Sequence, residues 1–140
     1  MDDAELRQAL AALDAYNVRL ESMTRQVRML QLSLEETSKA AEAMRALAGA
    51  KEGDEVLVPL GASSFASMSV PGEKKVIVGV GSGVSVEKSF DDALAYMEAG
   101  SREISEALKK AVATLSEAEE AASRLTAAVE QEYSDRQRPQ

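Results

Sequence analysis

The segment Lys74–Ser89, KKVIVGVGSGVSVEKS, is the one stretch with the look of a chemical motif. An apolar strand running into Gly-x-Gly and then a helix is how dinucleotide-binding loops begin. The pattern breaks after Gly79 and Gly81: the third glycine should stand where Val84 is. Val84 and Val86 then alternate as a strand, and no helix start appears before Ser89. These glycines read as hairpin punctuation. GASSF, Gly61–Phe65, is not a Gly-x-Ser-x-Gly elbow, and the chain has no His to activate a serine. EAEE, Glu117–Glu120, lacks the Asp/Asn loop spacing of a hard-cation site and reads as a solvated helix face. With no Cys either, thiolate zinc sites, thiol nucleophiles and disulfides are excluded. No motif carries catalysis and none calls for a cofactor or metal, so the expectation is a protein that is not an enzyme.

What remains is a chain of 140 residues with net charge −8. Phosphate backbones need a basic face, so nucleic acid is not an expected partner. No apolar run approaches the roughly 18 residues of a membrane span, and MDDAELRQAL lacks the pattern of a secretory signal. The expectation is a cytoplasmic protein with no membrane partner.

Glycine and proline divide the sequence. Residues 3–48 contain neither, residues 90–138 contain only Gly100, and the stretch between holds seven of the eight glycines. The chain therefore reads as helix (1–49), β-insert (50–88) and helix (89–138), together one α+β domain over 1–140. The first helix steps by sevens through Leu6, Leu13, Leu20, Val27, Leu34, Ala41 and Ala48. Three residues after each come Ala9, Tyr16, Met23, Leu30, Thr37 and Met44. The last helix repeats the device with Phe90, Met97, Ile104, Ala111, Ala118 and Leu125, and with Leu94, Ser101, Leu108, Leu115, Ala122 and Val129. An apolar repeat of 3.5 residues sustained this long predicts a coiled coil. Three of the six methionines, Met23, Met44 and Met97, fall on the seam as core. Folding the two helices back antiparallel so that the polar Thr37 meets the polar Ser101 also opposes Leu13 to Leu125, Met23 to Leu115 and Leu30 to Leu108. A heptad slip would set the Thr37 hydroxyl against leucine, at about 1–3 kcal/mol. Ser89 is the expected N-cap of the second helix, with Asp92 at N3. Gly49 or Gly53 is expected to close the first.

The insert reads as two hairpins. Val56, Val58 and Leu60 alternate in the first, which returns through Ser63–Val70 to a Pro71-Gly72 turn. Val76, Val78 and Val80 alternate in the second, which returns through Val84 and Val86. Isolated two-stranded hairpins are marginal in water, and their edges pair promiscuously. The eight residues Val56, Val58, Leu60, Val76, Val78, Val80, Val84 and Val86 are thus expected to face neighbouring subunits in a shared β-barrel body. The coiled coil would project from it. Its far end is rich in alanine, and its last layer sets Leu6 against Glu132, so it is expected to fray and expose Leu6, Leu10, Leu13, Leu125, Val129 and Tyr133. Mobile apolar ends suit the capture of non-native chains.

Helix, two hairpins, helix, with VLVPLGASSF at Val56–Phe65 and VIVGVGSGVSVEKS at Val76–Ser89, resembles the alpha-subunit class of archaeal-type prefoldin along nearly the whole chain. The resemblance implies an ATP-independent chaperone, a hexamer of two alpha and four beta subunits. It would capture unfolded proteins with its coiled-coil tips and deliver them to a group II chaperonin. A filament-forming scaffold built by the same β-body is the alternative. An adaptor whose coiled coil binds one folded partner is a third, weaker one.

Overall fold

A computed structural model describes residues 1–139. Helix α1 runs over Asp3–Ala48, strands β1 Glu55–Gly61, β2 Ser64–Ser69, β3 Val76–Gly81 and β4 Val84–Lys88 follow, and helix α2 runs over Phe90–Gln137. The four strands make two separate antiparallel hairpins, β1–β2 and β3–β4. Two compact units result, each containing part of both helices. The terminal unit is Met1–Ser33 with the chain from Ile104 onward, and the hairpin unit is Leu34–Glu103.

The heptad is realised residue by residue. Every seam position expected on α1 from Leu6 to Ala48 and on α2 from Phe90 to Val129 is buried or half-buried. In the terminal unit Leu6, Ala9 and Val129 form a buried cluster, with Leu13 and Leu125 packed against it. This agrees with the antiparallel register. In the hairpin unit Thr37 and Ser101 are both half-buried, and Arg45 Nη2 pairs with Glu98 Oε1 at 3.1 Å from α1 to α2.

The helix ends are held by side chains. At the start of α1 the Asp2 carboxylate accepts from the Glu5 amide at 2.7 Å, and the Glu5 carboxylate accepts from the Asp2 amide at 3.1 Å. This reciprocal pair satisfies two of the N–H groups that a helix start leaves orphaned. Ser89 caps α2 as expected, its Oγ accepting from the Asp92 amide at 3.2 Å. The end of α1 differs from expectation. Gly49 is not in the left-handed region, which Gly53 (φ 86°) does enter further on. The Lys74 ammonium instead donates to the carbonyls of Leu47, Ala48 and Ala50, at 3.2, 2.8 and 2.7 Å. A cation here also meets the negative end of the helix dipole.

The two hairpins are built alike, twenty residues apart in sequence. In each the register shifts at a glycine, Gly61 (φ 102°) or Gly81 (φ 109°), just before a two-residue turn. Both turn residues have positive φ: Ala62 and Ser63 in the first hairpin, Ser82 and Gly83 in the second. That is the twist-matched hairpin turn. Left-handed backbone costs an L-residue about 1–2 kcal/mol. The first hairpin bears that cost twice and the second once.

Candidate protein-interaction surfaces

The hairpins put apolar side chains on both of their faces. Val56 and Val58 pair with Met68 and Ala66, and Val78 with Val86. Successive side chains alternate between faces, so Leu57, Pro59 and Phe65 share the opposite face of the first hairpin, and Ile77 that of the second. Leu57 is 66% exposed and Ile77 75%. Of the eight residues expected to meet neighbours, Val58, Leu60, Val80, Val84 and Val86 are exposed and Val56 and Val76 half-buried. Val78 is a correction: it is only 2% exposed, enclosed by its own chain and not presented to a partner. Its counterpart Val58, twenty residues earlier, stays open.

The reading by alternation missed Leu57, Phe65, Met68 and Ile77, all exposed. A signal was present. Val56-Leu57-Val58 and Val76-Ile77-Val78 are unbroken apolar runs, the mark of strands covered on both faces. Next to these strands lies a cleft of about 520 Å³, its apolar floor including Leu47, Val56, Val58, Val70, Pro71 and Phe90. Lys75 stands at its rim between Glu73 (3.3 Å) and Glu87 (3.8 Å). Where the second hairpin meets α2, the Lys88 ammonium lies 5.5 Å from the centre of the Tyr96 ring, a cation–π contact. Ala93, fully buried one residue from the expected seam residue Leu94, was also missed.

At the end holding both chain termini, the six residues named for client capture divide. Leu6 and Val129 are buried, 8% and 5% exposed, and Leu13 and Leu125 pack against them; Leu10 and Tyr133 are exposed. Both helices are regular at this end, α1 from Asp3 and α2 to Gln137. Glu132, expected to spoil the last layer, is instead neutralised. Its carboxylate accepts from Arg136 Nε at 3.0 Å and lies 3.3 Å from the Met1 nitrogen. The Arg136 hydrogen bond holds the Glu132 carboxyl below the ordinary carboxylate range; burial opposes this, and the Met1 ammonium assists it. Arg136 in turn is pushed up by Glu132 and then by Asp3, to which its Nη1 donates at 2.7 Å. Further along, Val18, Met29 and Leu32 of α1 and Val112 of α2 are exposed off the seam. Among the described residues no acidic or His/Cys cluster could hold a metal, and no helix is long and apolar enough to cross a membrane.

A pair of seamed helices joined by two exposed β-hairpins defines a recognisable class. The prefoldin subunit family matches residues 16–135. A prefoldin subunit alpha of Methanothrix thermoacetophila is 39% identical over 106 residues, 76% of this chain and 69% of that protein. The prefoldin subunit alpha of Pyrococcus horikoshii is 34% identical over 116 residues, 82% of this chain and 72% of that one. Among solved structures, filamentous PFD from Methanocaldococcus jannaschii superposes with a TM-score of 0.54 at 26% identity, covering 92% of this chain and 98% of the other. The chain belongs to the prefoldin family, whose members are chaperone subunits. Both relatives named above are prefoldin alpha subunits of archaea.

Proposed function

We propose that this chain is the alpha subunit of an ATP-independent holdase working in the cytoplasm. Its hairpins assemble with beta-type subunits into a hexamer of two alpha and four beta chains. Its coiled-coil end captures unfolded proteins and passes them to a group II chaperonin. The observation that carries the reading is the pair of hairpins, apolar on both faces and exposed, in a member of this family. Such strands cost free energy in water and are stable when neighbours cover them. Apolar capture is non-directional, so it accepts many client sequences, and several such ends around one body add avidity. No nucleotide, metal or cofactor takes part.

The test is the size of the purified chain with and without a beta-type subunit, followed by dilution of a denatured protein into the product. A discrete hexamer that suppresses aggregation equally with and without ATP is expected. Long polymers of this chain alone, with no hexamer on mixing, would overturn it in favour of a filament scaffold. That second reading is favoured by the likeness to a filamentous assembly.

A further inference from the structure

The charged groups at the terminal end are arranged around one side chain. Arg136 reaches three acceptors with three nitrogens: Nη1 donates to Asp3 Oδ1 at 2.7 Å, Nε to Glu132 Oε1 at 3.0 Å and Nη2 to the Met1 carbonyl at 3.3 Å. Two acceptors belong to the beginning of the chain and one to α2, so the guanidinium ties the two helices together across their open end. Inside this tie lies the buried cluster of Leu6, Ala9 and Val129, backed by Leu13 and Leu125. Glu132 also takes the Met1 ammonium at 3.3 Å, a second contact between the two chain ends, while the remaining neighbours are engaged locally. Glu5 is in the capping pair with Asp2, and Asp135 accepts from Gln131 and lies 3.9 Å from Arg138.

We propose that this ion cluster is a latch, an autoinhibitory contact that keeps the apolar end of the coiled coil covered until a client displaces it. The proposal rests on the reading of this end as the client-binding surface. A seam made of Leu6, Ala9 and Val129 holds less tightly than a leucine layer, because alanine buries little apolar area. The tie over it is made of partly exposed ion pairs, which are individually weak and are screened by salt. Weak apolar layers under a weak ionic tie make an end that is closed at rest and opens at small cost. The residues uncovered, Leu6, Leu13, Leu125 and Val129, would then extend the already exposed Leu10 and Tyr133 into one apolar surface. An unfolded segment that covers this surface removes the reason for the latch to close.

Two variants of the assembled protein test the latch from opposite sides. Arg136→Ala releases the tie. Ala9→Cys with Val129→Cys places the only two thiols of the chain at facing seam positions, so that oxidation locks the end shut. Amide hydrogen exchange reads the opening, and capture of reduced, carboxymethylated lactalbumin, which stays unfolded, reads the function. Arg136→Ala is expected to speed exchange several-fold at residues 5–10 and 125–132, leave residues 20–30 unchanged, and raise capture several-fold. Raised salt should produce the same local exchange in the unaltered protein. The oxidised lock should lower capture several-fold, with recovery on reduction. Unchanged exchange in Arg136→Ala overturns the latch. Faster exchange together with capture indifferent to both variants overturns the client reading of this end, and with it the latch's role.

Discussion

The hairpins and the terminal end of the helix pair treat apolar side chains in opposite ways. At the terminal end Leu6 and Val129 are enclosed and the acids around them are matched to Arg136 and the Met1 nitrogen. In the hairpins Leu57, Phe65 and Ile77 are left mostly open to solvent. One region has completed its packing within the subunit; the other has not. Stability of the isolated chain should therefore respond to substitutions at the first region, and assembly to substitutions at the second. Within the hairpins, Val78 is the exception that belongs with the enclosed set.

The sharpest contrast lies between adjacent residues. Val78→Asp buries a carboxylate in the chain's own interior and should destabilise the isolated subunit by about 3 kcal/mol, measured by urea denaturation. Ile77→Asp should leave that value within about 0.5 kcal/mol yet prevent co-assembly with a beta-type subunit, measured by light scattering. Equal effects of the two on the isolated chain would break the comparison. Next in size, Leu6→Ala removes a buried side chain from the terminal cluster. It should cost about 2–3 kcal/mol while leaving assembly through the hairpins intact. Lys74→Met keeps the aliphatic stem but withdraws the cation from three carbonyls. A loss of about 1–2 kcal/mol is expected, read as faster amide exchange in the last turn of α1. The smallest effect concerns pH. Because the Glu132 carboxyl is held below its ordinary range, its contribution is present at neutral pH and disappears as pH falls through that lowered value. Glu132→Gln should therefore flatten the acid limb of the terminal unit's stability, followed by exchange at residues 125–132. An unchanged acid limb would mean that the ionic tie contributes nothing.

Much of the molecule was legible because its elements are periodic. A seam position is set by which residues repeat every three and four places, so local information suffices. All the expected seam residues are buried or half-buried, Thr37 and Ser101 included. Both hairpins were legible from alternation and from glycine at the places where φ must be positive. The second apolar face was less so. Alternation singled out Val56 and Val58 and passed over the intervening Leu57, although the unbroken run argued for two covered faces.

By itself, then, the sequence determined the helices, their facing stripes, the two hairpins and the Ser89 cap, since each depends on residues within a few places of one another. The tertiary structure alone decided the rest. Lys74 closes α1 from 24 to 27 residues away, and Arg136 reaches Asp3 across 133; no local pattern encodes such a meeting. It likewise decided that Val78 is enclosed and Val58 open, although the hairpins repeat each other. Which strand face the chain itself covers depends on the geometry of its return, and two similar strands do not carry that information in their residues.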